Sequence, residues 1–420
     1  MRASICRSIP AALIAACLAI AKPAPVRANV ITDWDEKAVA AASSLLVPGN
    51  TTPPMAQRMM AMVHVAMFDA VNSIEPRYRP YLVLLPADPA TSKEAAASAA
   101  AAAILATIDE KTARDMRAAL ATYLNAIPDG PAKQDGVRLG EAVAAKIIEA
   151  RSDDGCNAPD AYRPRTTAGV YVPTAITLNS MWPAMKPFAI AQGSQFRPKP
   201  PVALDSTEWA TDYNEIKEVG AQRGTKRTTE QTETARFWLM TGPVAYHPFA
   251  RQLALAKQMN VVDSSRFMTF VAVGLNDAFI AVFDAKYHYN FWRPITAIRN
   301  GDIDGNSATE LEATWQPIAA TPMHPEYPCA HCIASGTVAG VIQAALGSTL
   351  IPEIAVTSPT APGVTHRFSD MTVLTQEVAN ARIWAGFHYR FSARAGKEMG
   401  YQIGDYVAKN ILQPVTTSSQ

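Results

Sequence analysis

Apolar residues in the first half of the chain recur with the period of an α-helix rather than with the alternation of a β-strand. The clearest run follows the spacing i, i+3, i+4, i+7 and consists of Met59, Met60, Met62, Val63, Ala66, Met67, Ala70 and Val71. Strong helix formers with polar ends continue the pattern through 92–108, 110–127 and 131–151. The pattern predicts helices whose methionine-rich face, together with His64, packs in a core.

The helical pattern stops between Asp153 and Leu204. This stretch has no sustained period and carries prolines at positions 159, 164, 173, 183, 187, 198, 200 and 201. Such a length without a period predicts a long irregular loop (153–204) that wraps around a helical body and covers a site.

Helical spacing resumes after this loop, in the segments 206–220, 228–241, 247–260, 264–287, 371–387 and 392–412. The segment 349–368 contains Ser-Pro and Ala-Pro-Gly and predicts a short hairpin. No repeat of fixed period is visible, which excludes solenoids and propellers. We therefore expect a mainly α fold of helix bundles, with an N-terminal region at 29–205 and a C-terminal bundle at 206–415.

The first 28 residues are typical of a secretory signal peptide. Arg2 and Arg7 precede an apolar run at 11–20, and cleavage is expected after Ala28. The run is too short to span a bilayer, and no later segment offers roughly eighteen uninterrupted apolar residues. The sequence thus predicts an exported protein, periplasmic or secreted, without a membrane span.

Charge and cysteine content narrow the function classes. The 38 basic and 37 acidic residues leave a net charge of +1, which argues against nucleic-acid or membrane-surface binding. Removal of the signal leaves Cys156, Cys329 and Cys332. At most one disulfide can form within the mature chain.

Cations and histidines concentrate in three segments of the C-terminal third. The first contains Lys286 and Arg293, seven residues apart, which would share one face of a continued helix. Pro294 ends or bends that helix. In isolation the pair would be two exposed surface cations; as a buried pair it needs an anion or an acidic partner between the charges.

The second segment, Cys329-Ala-His-Cys332, places His331 between two cysteines. Haem attachment needs the histidine after the second cysteine, a structural zinc site needs a second ligand pair, and a thioredoxin-like site needs a βαβ context. What remains is a proline-led turn into a helix at about 333–345, whose N-terminal N–H groups can bind an oxyanion. His331 is therefore predicted to lie where a phosphate-like group binds.

The third segment contains Arg382 and His388, six residues apart. This spacing is not one face of an ideal helix. The two side chains converge only if the chain bends near Gly386 or the arginine reaches back. Taken alone, His388 would be a packed core histidine.

Together, Lys286-x6-Arg293-Pro294, Pro328-x-x-His331 and Arg382-x5-His388 resemble the signature of type 2 phosphatidic acid phosphatases and vanadium-dependent haloperoxidases. Asp33-Trp34 and the segment 58–71 also resemble the secreted bacterial haloperoxidase-like branch of this superfamily. The resemblance implies helical bundles of the haloperoxidase and acid phosphatase type.

The resemblance also implies a role for each residue. Lys286, Arg293 and Arg382 would hold the oxygens of vanadate, or of phosphate in the same site. His388 would bond the central atom, as vanadium ligand or as phosphoenzyme nucleophile. His331 would act as general acid–base on the opposite side.

The turn before His331 departs from the usual Pro-Ser-Gly-His of the superfamily. Cys329 replaces a hydroxyl by a weaker thiol donor, and Ala330 adds a Cβ where a glycine N–H faces the anion. A disulfide between Cys329 and Cys332 would protect a thiol from peroxide. His324 is expected on the halide or substrate side of the site.

The leading interpretation is an exported vanadate-dependent haloperoxidase, a peroxidase whose partners are hydrogen peroxide and halide. The long helical N-terminal half, absent from compact acid phosphatases of the superfamily, favours it. The alternatives are an acid phosphatase that hydrolyses phosphate esters through a phosphohistidine, and a non-catalytic oxyanion-binding homologue. The sequence leaves open whether the protein is a homo-oligomer.

Overall fold

The computed structural model describes residues 29–44, 46, 52–173 and 176–415. The predicted signal peptide at 1–28 lies outside the described residues. The described part is mainly α, as predicted. Its α-helices are α1 (Val30–Ser44), α2 (Pro53–Ile74), α3 (Lys93–Leu105), α4 (Glu110–Leu124), α5 (Pro131–Ala150), α6 (Thr207–Val219), α7 (Thr229–Phe237), α8 (His247–Ala256), α9 (Val261–Tyr289), α10 (Pro294–Arg299), α11 (Ala330–Leu346), α12 (Met371–Trp384) and α13 (Arg390–Asn410).

One hydrophobic core joins the two halves of the chain. Helices α1, α2, α3 and α9 contribute to the same cluster of buried residues as α11 and α13. The methionine-rich helix is α2, and Met60 and Met67 on it are fully buried. This confirms the predicted core packing; the division at residue 205 stays a prediction.

The predicted irregular loop is present. Between α5 and α6 the described residues form only short 3-10 turns, bends and an isolated bridge. The buried carboxylate of Asp277 in α9 accepts the backbone N–H groups of 188–190 at 2.6–2.9 Å and so ties the loop to the core. Leu178 and Asn179 of the loop line a large cavity, so the loop covers part of it.

Helix α9 is long and apolar enough, by length and composition, to cross a bilayer. Its most apolar window of 18 residues is 89% buried inside the protein. This is the arrangement of a core helix, and it lets α9 carry Lys286 into the interior.

Helices α11 and α13 approach each other at backbone contact distance. A Cβ on Gly400 would lie 2.1 Å from the carbonyl oxygen of Ile333. Equally close approaches to backbone oxygens occur at Gly336, Gly340 and Gly404. Because no side chain fits between these helices, the glycines fix the start of α11 relative to the start of α13.

The predicted hairpin is also present. Strands β1 (Leu350–Ser358) and β2 (Ala361–Asp370) pair antiparallel, with Val356 opposite His366. The hairpin extends two residues beyond the predicted segment and packs against α8 and α12.

Candidate active site

The three cationic segments converge where α9, α11 and α12 pack together. Lys286 lies in the last turn of α9, Arg293 immediately before α10, His331 in the first turn of α11, Arg382 in the last turn of α12, and His388 between α12 and α13. We call these five residues the cationic site. All except the half-buried His331 are at most 2% exposed.

Helix α9 ends at Tyr289, slightly beyond the predicted end at 287 and ahead of Arg293, so Lys286 and Arg293 do not share the face of one helix. Asn290 adopts the left-handed conformation (φ 50°, ψ 41°), and its N–H donates to the Lys286 carbonyl. Arg293 is instead the N-cap of α10. Lys286 Nζ donates to two carbonyls of the segment 324–326 at 2.9 and 2.7 Å, and Arg293 Nε donates to a third at 2.8 Å.

Arg382 and His388 converge because the chain bends at Gly386, which is one of the two possibilities that their spacing left open. Gly386 has φ +79°, and the N–H of Phe387 turns back to the Arg382 carbonyl at 3.1 Å. A Cβ at this position would also lie 2.6 Å from the Gly220 carbonyl oxygen. Both the backbone conformation and the available space therefore require glycine.

Helix α11 begins at Ala330, so Ala330 and His331 lie in its first turn. Cys329 is the N-cap and forms a disulfide with Cys332, which confirms the expected bridge. Cys329 consequently has no S–H, and its expected role as a weak thiol donor is wrong. The donors that this turn offers to an anion are backbone N–H groups, which have no intrahelical acceptor at a helix start.

The cationic site buries more positive than negative charge. Desolvation, reinforced by Arg293, holds the pKa of Lys286 well below its usual value. Desolvation lowers the pKa of Arg293 to about 10, and desolvation with the neighbouring Arg293 lowers that of Arg382 to about 9. Arg382 Nε is buried without a hydrogen-bond partner. An oxyanion fits this donor set because it supplies both acceptors and the missing negative charge.

Both histidines of the site are neutral at physiological pH. Desolvation and the neighbouring cations hold the pKa of His331 and of His388 well below 6.5. His331 Nε2 lies 3.0 Å from the Met240 carbonyl oxygen, which can only accept. Nε2 therefore carries the hydrogen, and Nδ1 is the basic nitrogen of His331.

Sequence reasoning missed Glu326. Its Oε1 lies 2.8 Å from His388 Nδ1 and accepts the Tyr389 N–H at 3.2 Å, and both side chains of the pair are buried. When Glu326 is ionised, His388 Nδ1 must carry the hydrogen, which leaves a lone pair on Nε2, 3.3 Å from Arg293 Nη1. Burial raises the pKa of Glu326 to about 7, although Lys286 and Arg293 lower it.

If His388 ligates the anion as the resemblance implies, Glu326→Gln is expected to weaken phosphate or vanadate binding about 10- to 100-fold, the usual cost of losing the partner of a ligating histidine. An amide offers Nδ1 a donor as well as an acceptor and carries no charge, so it no longer fixes the hydrogen on Nδ1 as the carboxylate does. In the wild type, protonation of Glu326 does the same, so the affinity is expected to fall as the pH drops through about 7. Calorimetric titrations of both proteins between pH 5.5 and 8.5 test this.

Since the ligand's own ionisation affects both proteins equally, the ratio of the two affinities isolates Glu326. The ratio is expected to be largest above pH 7 and to approach one at low pH. A ratio that stays constant across this range would show that Glu326 does not control the histidine.

A cavity of about 450 Å³ opens onto the cationic site. His331, Arg382 and His388 line one part of it. His324 lies on the wall, with Nδ1 3.0 Å from Arg293 Nη2 and its ring edge-on to Phe283. Most of the remaining wall is apolar and comes from α2, α9 and the segments 239–246 and 319–323.

A second buried cluster lies near the cavity. Asp35 Oδ1 lies 2.9 Å from His64 Nε2 and 2.7 Å from His247 Nδ1, while Oδ2 accepts from Arg251 at 2.7 Å. The spacing would suit a metal ion. However, hydrogen bonds occupy both carboxylate oxygens, and Arg251 supplies the balancing charge. We therefore interpret the cluster as a buried ion network, in line with the packing role expected for His64.

The chain is similar to known proteins in the region that contains the cationic site. Residues 266–417 match a family model described as the VCPO second helical-bundle domain. Over 290 residues the chain is 23% identical to vanadium chloroperoxidase from Curvularia inaequalis, a match that covers 54% of this chain and 46% of that protein. The match thus spans about half the length of that relative.

Two solved bacterial structures share the fold over nearly the whole chain. One, described as the first bacterial vanadium-dependent iodoperoxidase, has a TM-score of 0.78 at 22% identity and covers 93% of this chain and 99% of that one. The other is a holo-type bacterial vanadium-dependent chloroperoxidase, with a TM-score of 0.70 at 17% identity; the match covers 91% of this chain and 97% of that one. At these identities the likeness confirms the expected helical fold.

Proposed function

We propose that this chain is an exported vanadate-dependent haloperoxidase that oxidises halide with hydrogen peroxide. The premise is that it belongs to the superfamily of vanadium-dependent haloperoxidases and type 2 phosphatidic acid phosphatases. The observation that carries the proposal is the buried excess of cationic donors around His388, including an unpartnered Arg382 Nε. The extended N-terminal helices, shared with the two bacterial peroxidase structures, favour peroxidase over phosphatase.

Lys286, Arg293 and Arg382 would hold the oxyanion, and His388 Nε2 would ligate its central atom. Bound vanadate supplies a Lewis-acidic centre that activates peroxide toward halide. The chain's own contribution is to neutralise the oxyanion, to keep Nε2 of His388 unprotonated through Glu326, and to exclude water by burial.

His331 acts as the general acid–base on the side of the cavity. Its neutral imidazole accepts a proton at Nδ1 while Nε2–H stays bonded to the Met240 carbonyl. Arg382 and the other cations disfavour a persistent positive charge on His331, so the proton is readily passed on.

Acid phosphatase activity is the second candidate. The hydrogen bond between Glu326 and His388 is the observation that favours it, since an imidazole oriented by a carboxylate is also suited to attack phosphorus. A non-catalytic oxyanion-binding protein is the third candidate, because the Cys329 disulfide and the Ala330 Cβ change the turn that faces the anion.

One paired assay distinguishes the three candidates. Protein freed of bound anion and reconstituted with orthovanadate is tested for iodide, bromide and chloride oxidation by peroxide. The anion-free protein is tested for p-nitrophenyl phosphate hydrolysis. Halide oxidation that depends on vanadate is the expected result. Hydrolysis alone would favour the phosphatase, and binding without turnover would favour the third candidate.

A further inference from the structure

We propose that the disulfide between Cys329 and Cys332 is a positioning element of the oxyanion site, because it holds the first turn of α11 in the conformation that binds the anion. The disulfide supports anion binding whichever reaction follows. Its expected effect on halide oxidation rests on the proposed haloperoxidase function.

The bridge encloses the part of α11 that faces the cavity. Ala330 and His331 are the residues between the half-cystines, and both line the cavity that opens onto the cationic site. A disulfide restrains the unfolded chain most when it closes a long loop. Because this bridge spans only Ala330 and His331, its main effect is expected on the backbone of this turn in the folded protein.

The bridge also decides which backbone donors of the turn remain for an anion. The Cys332 N–H donates to Cys329 Sγ at 3.1 Å, and the Ile333 N–H donates to the Cys329 carbonyl at 3.0 Å. Within the described part of the chain, the N–H groups of Ala330 and His331 form no hydrogen bond. These two N–H groups are the donors that the start of α11 offers to an oxyanion.

On its other side the bridge is fixed by α12 and α13. Both half-cystines are fully buried and form a cluster with Ala379 of α12 and Ala393 of α13. The Cys329 N–H donates to the Ser392 carbonyl of α13 at 3.3 Å. Arg382 follows Ala379 by about one helical turn. The bridge therefore connects the turn that contains His331 to the helix that carries Arg382.

A turn that is rigid before the anion arrives loses less conformational entropy when the anion binds. When the bridge opens, the sulfur of Cys329 stays in place, but no covalent bond restricts the backbone of Ala330 and His331. Restricting the backbone of a single residue changes an equilibrium by about tenfold. We therefore expect the affinity for an oxyanion to fall about tenfold when the bridge opens.

The test compares the bridged and the reduced forms of the full-length wild type by calorimetric titration with inorganic phosphate. Phosphate is the probe because reductants also reduce vanadate. A phosphine cleaves the S–S bond, and with one water molecule the products are two thiols and the phosphine oxide. The phosphine is removed before an anaerobic titration, and intact mass after alkylation verifies the reduction. The reduced form should bind phosphate about tenfold more weakly.

Two variants complete the comparison. Cys332→Ala opens the bridge permanently, so it should bind phosphate as weakly as the reduced wild type, with or without reductant. Cys156→Ala is the matched control, because it removes a free thiol outside the site and keeps the bridge. It should bind phosphate like the wild type and respond to reduction in the same way.

Halide oxidation is measured in Cys332→Ala, because peroxide would re-form the bridge in the reduced wild type. In that reaction two thiols and H₂O₂ give a disulfide and two water molecules. The variant cannot form the bridge and should need about tenfold more vanadate for half-maximal activity.

Equal phosphate affinity in the bridged and the reduced wild type would overturn the proposal, whether or not Cys332→Ala folds. A lower unfolding midpoint on reduction with unchanged phosphate affinity would do the same, since it would show a bridge that only stabilises the fold. Weaker phosphate binding on reduction in a protein that oxidises no halide would refute the proposed function and retain the role of the bridge. Halide oxidation with an unchanged vanadate requirement in Cys332→Ala would overturn the role of the bridge and retain the function.

Discussion

His388→Ala is expected to abolish vanadate-dependent halide oxidation, with a loss of about 10³-fold or more, as for removal of other groups that contact the reacting centre. Nε2 of His388 is the one imidazole nitrogen that Glu326 keeps unprotonated beside Arg293, and alanine removes it. Initial rates of iodide oxidation with saturating orthovanadate measure the effect. Titration with vanadate should show a parallel loss of affinity.

The variant His331→Ala distinguishes general acid–base catalysis from oxyanion binding. Its activity should also collapse, while its affinity for vanadate should change much less, since Lys286, Arg293, Arg382 and His388 remain. His366→Ala is the matched control, because His366 bonds Glu377 at 2.6 Å, outside the cationic site, and its removal should leave the rate unchanged. Full activity in both His331→Ala and His388→Ala would show that the site lies elsewhere.

The helices could be predicted from local periodicity, whereas the grouping of the five cationic-site residues came from their resemblance to a three-part family signature. Helical periodicity in the sequence identified α2 and α9 closely, and a bend near Gly386 was one of two possibilities that the spacing of Arg382 and His388 left open. Lys286 and Arg293 do not share a helix face, because the left-handed turn at Asn290 ends α9 before Arg293. Asparagine tolerates that conformation, but its presence alone does not predict it.

Residues that act through distant contacts could not be predicted. Glu326 and His388 are 62 positions apart, and Asp35 and His247 are 212 apart. No periodicity relates such pairs. In the sequence, Glu326 cannot be distinguished from an exposed acidic residue of a loop, because it lies between α10 and α11. Only the fold shows that these pairs are hydrogen-bonded and that Glu326 orients the histidine of the site.

The glycines of α11 and α13 connect the fold to the site. They appear in the sequence as residues unfavourable to a helix, yet they permit the contact that sets the positions of His331 and His388. The backbone of α13 also lies close to the turn before His331, since a Cβ on Gly396 would be 2.5 Å from the Cys329 carbonyl oxygen. Separating the helices is therefore expected to disturb the site as well as the core.

Gly400→Ala is the most direct test of this coupling. The added Cβ would lie 2.1 Å from the Ile333 carbonyl oxygen, a backbone atom that cannot rotate away, so we expect a loss of about 3 kcal/mol or more in the free energy of unfolding. Gly274→Ala in α9 is the matched control, because its Cβ would meet only methyl groups of Thr337 and Val341, at 3.0 and 3.5 Å. Its cost should be under about 1 kcal/mol, since alanine also favours the helix. Urea unfolding measures both changes in stability. Titration of folded Gly400→Ala with vanadate should show weakened binding. Unchanged stability and unchanged affinity in Gly400→Ala would contradict the role of the contact between α11 and α13.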